Sequence, residues 1–477
     1  MTSDPANRAR IVAATGKTGV AVSNVGQVIV ENLIVSGPGM NLTKAIGVRA
    51  VSDGGRFRGL TFRNLDVSGF NEGLQVLSYN KATDGFDDVL IESCALHDNL
   101  QGGGSTYGLA ATAMTNVVVR CGRFYNNPGD PVVKRPSGDG FVLGGVTNGL
   151  IESCVAYNNG GQGTNNAGPV GLWAYDSTKI TIQFSEAYGN KALKMDGDGF
   201  DLDIGVTDSV IQYCYAHDNY GAGFLLSQAG TSPWRNNIIR YNVSENDASG
   251  QKLGAITFYS AAGAQGLQNV QVYGNTVYTS VGPALNLTSE SNVSGVRVFN
   301  NIFMTAKDQR LVWDWSGNAK AGNILVQGNL YWASGGKVDF QGATSLAAWR
   351  AAQGQELLDG MAVGVFADPK LTQPGGGRVI GDPLKLVVWK QAARAQARGS
   401  SDLVSRDTQQ AQRVELWLDF AQAGSIDTEH RLSRLCAWVL QADRLGVDYG
   451  LRLPGVEIKP ACGEAHKRRC LEALALC

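Results

Sequence analysis

The chain has 477 residues, with 41 Lys and Arg against 42 Asp and Glu. Such balance gives no electrostatic basis for nucleic acid or an anionic membrane surface as partner, and no apolar run approaches the roughly 18 residues of a membrane helix. The 61 Gly against 13 Pro suit many tight bends and few stiff linkers, which points to a β-rich repeat protein.

The first residues hold no hydrophobic stretch, so no secretory signal is expected and localisation stays open; residues 1–15 read as a disordered or partial first coil. From residue 16 a β-branched phrase keeps returning. It reads Val28-Ile29-Val30-Glu31, Leu60-Thr61-Phe62-Arg63, Val89-Leu90-Ile91-Glu92, Val117-Val118-Val119-Arg120, and so on to phrases near Val296 and Ile324. Phrases about 30 residues apart are too close for βαβ units with a helix in each. A second apolar strand follows roughly 20 residues later in most repeats, where alternation turns Phe141/Leu143, Leu172/Ala174, Phe200/Leu202 and Phe224/Leu226 inward. The pattern predicts an all-β, right-handed parallel β-helix of about eleven coils over residues 16–335.

Asn242, Asn275, Asn301 and Asn329 share one register, two places past the end of the phrase, and predict an inward asparagine ladder. Cys94, Cys154 and Cys214 fall in that register and read as buried free thiols. As metal ligands they would stand about 9–10 Å apart, on every second coil. Phrases such as His217-Asp218-Asn219-Tyr220-Gly221-Ala222-Gly223-Phe224 resemble those of the pectate-lyase-like superfamily of β-helix proteins. The resemblance spans residues 16–335 and implies a polysaccharide partner. The triads of polygalacturonases and the signatures of the main pectate lyases are absent, so the resemblance bears on fold more than on reaction.

Outward positions of the second strand carry the candidate chemistry. Asp201 and Asp203 stand about 6.6 Å apart on one strand, with Trp173 and Tyr175 one coil to one side and Tyr259 two coils to the other. Aromatic faces stack on sugar rings while polar edges orient them. Asp139 and Asp198 occupy matching Gly-Asp-Gly bends, and Asp196 adds a fifth acid. Lys134 and Arg135 precede the first bend, Lys191 and Lys194 the second.

Three readings stay open. In a lyase, acids among Asp139, Asp196, Asp198, Asp201 and Asp203 bind Ca²⁺, the ion neutralises a uronate carboxylate, and Lys194 or Lys191 takes the C5 proton. Trp173, Tyr175, Tyr259, Lys134 and Arg135 then hold the substrate. In an inverting hydrolase, Asp201 and Asp203 are the acid and base. In a non-catalytic carbohydrate-binding solenoid the acids only cap turn amides and the basic residues are solvated. His97 and His217, in matching His-Asp-Asn turns, read as turn caps. Trp313 and Trp315 either extend a binding face or cover the core. A monomer is expected.

After Trp332 the rhythm fails. Residues 336–377 read as an irregular tail holding a short helix, Ser345 to Ala352. Gly381-Asp382-Pro383-Leu384, Trp389-Lys390 and Ala393-Arg394 then resemble a bacterial membrane-associated family whose C-terminal half is von Willebrand A-like. Residues 378–477 accordingly read as an α/β fragment. It has a strand from Val414 to Phe420, a helix capped by Asp427 or Thr428 with Leu432, Leu435, Val439 and Ala442 inward, a strand from Tyr449 to Leu453, and a helix from Glu464 to Leu476. Asp419-Phe420-Ala421-Gln422-Ala423 stands where that family's metal motif would be and lacks its serines. Two unrelated patterns joined at Gly-Asp-Pro suggest a hybrid chain.

Overall fold

The computed structural model describes residues 8–381 apart from 42–43, 111, 164–167, 251, 291 and 378, and then 416–423, 427–444, 449–461, 463–475 and 477. Most of the sequence signature from Gly381 to Arg394 lies outside the described residues.

Each coil is built from three short strands. Val28–Glu31 opens face I, Leu33–Ser36 face II and Ile46–Ser52 face III, and Arg56–Arg63 returns to face I. The corner from face I to face II is one residue in the left-handed region, such as Asn32, Asn64, Ser93 or Cys121. Side chains outside glycine adopt that conformation at a cost, and here it recurs because the next residue must swing into the core. Counterpart strands pair in parallel and in register, as Val89, Val117, Gly149 and Ile180 do on face I.

Among the described residues faces I and III hold 11 strands each and face II holds 13, so the solenoid has about 13 turns. The expected eleven coils fall short at both ends. Ala9–Val12 precedes the first recognisable phrase on face II. Val365–Phe366 pairs with Leu330 and Tyr331 beyond the point where the rhythm fails. Those two segments are too short or too irregularly spaced to show as phrases. The tail helix forms as Leu346–Gln353, with the Ser345 hydroxyl accepting from the Ala348 amide. Its Trp349, 1% exposed, packs on Phe340 and Tyr331 and covers the end of the core.

The inward residues of face III, Phe141 through Leu226, are fully buried as alternation requires. The asparagine ladder also forms. Asn242 donates to Asn275 (3.0 Å), Asn275 to Asn301 (2.9 Å) and Asn301 to Asn329 (3.0 Å). Cys94, Cys154 and Cys214 are free and buried, each thiol pointing to a carbonyl of an earlier coil where the ladder asparagines place their amides.

A second ladder at the corner from face II to face III runs through Asn127, Asn159, Asn190 and Asn219. Outside it, on face II, lies a column of rings: His97, Tyr125, Tyr157, Tyr188 and His217, with centroids 4.6–5.0 Å apart and nearly parallel. The tail then runs back over this face. The Gly375 amide donates to Glu245, and the Ile380 and Gly381 amides donate to Glu186 at 2.7 and 2.6 Å.

The second compact unit, residues 404–477, holds the strands Leu416–Asp419, Tyr449–Leu453 and Val456–Ala461 in one sheet with the helices Thr428–Arg444 and Glu464–Ala475. Leu435, Val439 and Ala442 are buried as expected. The antiparallel third strand was not expected. Asp419 caps a short turn by accepting from the Ala421 amide at 2.9 Å. Among the described residues no helix is long and apolar enough to cross a membrane.

Candidate functional site

Several strands of face III start acid–Gly–apolar. A Cβ on Gly140 would lie 2.2 Å from the Gly171 oxygen and 3.2 Å from Asn159 Nδ2; one on Gly199 would lie 2.9 Å from the Gly223 oxygen and 3.0 Å from Asn219 Nδ2. Both glycines therefore face the inner ladder, and so do the phenylalanines that follow. Two successive inward residues break the alternation, and the preceding Asp139 and Asp198 emerge outside the core.

Parallel register places Glu72 beside Gly102, Gly102 beside Asp139, and Val170 beside Asp198. Glu72, Asp139 and Asp198 thus share one column on alternate coils, about 9–10 Å per step. The next outward column runs Val142, Trp173, Asp201, Leu225. The one after it includes Tyr175, Asp203, Ser227 and Tyr259.

The structure so brings Asp139, Asp198, Asp201, Asp203, Trp173 and Tyr175 onto one face, as expected, but not into an open groove. Asp198 is 0% exposed, Asp201 2% and Trp173 7%. The corner loops from face II to face III are long enough to fold over the strand starts. Leu253 and Met195 pack with Leu225 and Tyr259, and Val142 and Val170 cover the Trp173 ring. Trp173 is therefore no open stacking surface, while Tyr175 and Tyr259 stay half-buried.

Three of the acids cap backbone amides with one oxygen each. Asp139 accepts from Val170 (3.0 Å), Asp196 from Gly168 (2.6 Å) and Asp198 from Ala222. The Oδ2 of Asp198 and the Oδ1 atoms of Asp201 and Asp203 have no partner among the described residues. Burial, reinforced by Asp203, Asp198 and Asp196, holds Asp201 well above the usual carboxylate range. Asp198 is raised likewise, by burial and then Asp196. Burial pushes Asp139 and Asp196 to about 7. Asp203 rises only to about 6, because the Ser227 hydroxyl and the Ile204 amide stabilise its charge against burial. The face thus holds Asp198 and Asp201 protonated near neutrality, Asp139 and Asp196 near their midpoints, and Asp203 largely ionised.

Lys134, Arg135, Lys191 and Lys194 are all exposed, on the corner loops. Lys191 and Lys194, expected as catalytic bases, stand exposed on the loop that leads into the strand Asp198–Leu202. Lys194 lines a small pocket with Asp196, Tyr220, Lys252 and Leu253, and Lys252 Nζ donates to the Lys194 carbonyl at 3.0 Å. Arg135 donates to Gln101 and opposes the rise of Glu72.

Among the described residues no three His, Cys, Asp or Glu side chains gather in a metal-binding arrangement. His97 and His217 lie on face II. Each is held between two acids, Asp66 and Asp98 or Glu186 and Asp218.

Glu72 escaped the sequence reading. Burial raises it to about 7, and Ser105 and Gln75 donate to it. Its signal was present, since Glu72-Gly73-Leu74 repeats Asp139-Gly140-Phe141 with a longer acid. Lys252 had no comparable motif around it.

Among solved structures, the chain is similar to the A-module of an Azotobacter vinelandii mannuronan C-5 epimerase. Identity is 17%, the match covers 76% of this chain and 92% of that one, and the TM-score is 0.43. A pectate lyase, Pel9A, matches at 17% identity over 57% of this chain and 67% of that one, with a TM-score of 0.29. An alginate lyase from a Paenibacillus species matches at 13% over 69% and 99%, with a TM-score of 0.29. No curated protein matches the chain by sequence. The family described as "right handed beta helix region" matches residues 18–264, and with coils, corners and ladders of this kind the chain belongs to that family.

Proposed function

We propose that face III binds an acidic polysaccharide and cleaves it by β-elimination. The observation that carries the reading is Asp201, an outward-facing buried carboxyl with an unpartnered oxygen, on a face whose entering loops carry the exposed Lys134, Arg135, Lys191, Lys194 and Lys252 as a cationic rim. A cationic rim attracts a polyanion. The protonated carboxyls of Asp198 and Asp201 donate hydrogen bonds to a uronate carboxylate instead of repelling it. That lowers the cost of carbanion character at C5.

In this reading Asp203 carboxylate takes the C5 proton. The C5–H electron pair forms the C4–C5 double bond, the C4–O bond breaks, and Asp201 gives its proton to the departing oxygen. Lys194 and Lys191 pair with substrate carboxylates, and Tyr175 and Tyr259 contact sugar rings. Inverting hydrolysis is the second reading, favoured by the spacing of Asp201 and Asp203 along one strand, about 6.6 Å.

The experiment is incubation of the full chain with uronate and neutral polysaccharides, following unsaturated ends by ultraviolet absorbance and reducing ends in parallel. Both signals together support elimination. Reducing ends alone point to hydrolysis, and neither signal on any glycan removes the catalytic reading.

A further inference from the structure

A second group of unpartnered side chains lies on face III, away from the acids. The column holding Trp173 and Asp201 continues through Leu225, Thr257 and Asn286 to Trp313, each paired in parallel register with the next. Four coils separate Asp201 from Trp313, about 19 Å at ~4.8 Å per coil. Trp313 is half-buried, and the guanidinium of Arg310 lies 5.4 Å from its ring centroid. Arg310 is exposed and also pairs with Asp339 at 3.4 Å.

The hydroxyls of Thr288 and Ser289, just past the strand Leu285–Asn286, are buried, at 6% and 4% exposure, and have no partner among the described residues. Buried hydroxyls left unpaired are costly, so they mark a place where another molecule can supply the bond. No reactive acid accompanies them. Asp314 accepts from the Asn318 and Ala319 amides and from Ser316, and is occupied in holding the short helix Asn318–Ala321. A flat indole, a cation against it and unpaired hydroxyls are binding chemistry without reaction chemistry.

We infer that Trp313, Arg310, Thr288 and Ser289 form a distal subsite for an acidic sugar residue of the same glycan chain that reaches Asp201. The inference rests on the acidic-polysaccharide reading of face III. The indole supports the sugar ring, Arg310 pairs with its carboxylate, and the two hydroxyls bond its edge. An extended glycan must span several residues to touch both places. The subsite therefore makes affinity depend on chain length.

The test uses the full chain carrying D201N, so that bound glycan is not consumed, with W313A or R310Q added. Binding of a purified polyuronate and its oligomers, from the dimer upward, is measured by titration calorimetry, with circular dichroism as a check on folding. Affinity should climb with length until the oligomer spans the gap. W313A should lower the affinity of long oligomers about ten-fold, roughly the value of one aromatic contact, and leave the dimer's affinity unaltered. An unaltered length dependence in both variants, with polyuronate still bound, overturns the subsite and leaves the face III reading standing. Equal weakening at every length also overturns it, because Trp313 would then act on the fold. If no polyuronate binds to D201N or to the native chain, the reading of face III falls and the subsite with it.

Discussion

Asn219 donates its side-chain amide to Asp247 Oδ1 at 2.8 Å, one coil further on, and this contact ends the inner ladder at the corner of faces II and III. An aspartate can accept but, when ionised, has nothing to pass on. Ser244 donates to its other oxygen at 2.6 Å. The ladder at the opposite corner ends the same way, with Asn329 donating to Glu356 at 2.8 Å. Each ladder is thus a directed chain of amides closed by an acid.

Interrupting such a chain should be expensive. Asn275 accepts from the Asn242 backbone and side chain and donates to Asn301. Asn275→Ala should cost about 3 kcal/mol, since it strands buried groups on both sides. Urea unfolding measures this, and a loss under about 0.5 kcal/mol would show that the ladder is ornamental to stability.

Asp201→Asn separates the catalytic role from a structural one. The buried acid binds its proton more tightly when folded than when unfolded. Its stability penalty is therefore absent below the unfolded value near pH 4 and grows as pH rises. The amide has no such penalty. The variant should melt higher than the native chain in mildly alkaline buffer and at the same temperature near pH 4, while losing turnover. A lower melting temperature with activity kept would make Asp201 a structural residue.

The pH profile of cleavage should follow the same sorting. A base at Asp203, raised to about 6, must be ionised, so kcat/KM should climb as pH passes through about 6. It should fall again where Asp201 loses its proton. A profile flat across that lower limb would exclude Asp203 as the base.

His217 gives a second pH signature, on face II. Burial by itself would lower its pKa, but hydrogen bonds to Asp218 and Glu186 outweigh burial and hold it at about 9. Its stabilisation is complete below the unfolded value near 6.5 and is lost as pH climbs toward 9, on the order of 3 kcal/mol. His217→Gln should flatten that part of the stability curve. Parallel curves for the two proteins would contradict the ion pairs.

Deleting residues 404–477 should leave the strand signal in circular dichroism intact, because that segment has its own small core. Loss of the signal would mean that the solenoid depends on it.

The solenoid was legible because its register forces identical places to be reused: the phrase, the inward pairs of face III and the asparagines all repeat at one interval. The final turn was not, since its only strand, Val365–Phe366 on face II, is two residues long and no face I phrase precedes it at the expected interval. Site position was legible for the same reason, and site exposure was not. Alternation tells that Trp173 and Asp201 leave the core, but how far that face is covered also depends on residues such as Met195 and Leu253, which sit on loops without a period. Asp139 and Asp198 needed one more step. Their outward turn follows from two inward residues in succession, Gly140-Phe141 and Gly199-Phe200, which a strict period of two misassigns.

In a stack of coils each layer normally touches only the layers beside it, so an end can peel away without the middle noticing. The returning tail changes that connectivity. By donating the Gly381 amide to Glu186, 195 positions earlier, it fastens the last turns to the middle of the column, as a cord tied back on its own spool resists unwinding from the loose end. Fraying from the C-terminal side then requires the cord to be released first, and the peeling of single layers becomes one concerted event.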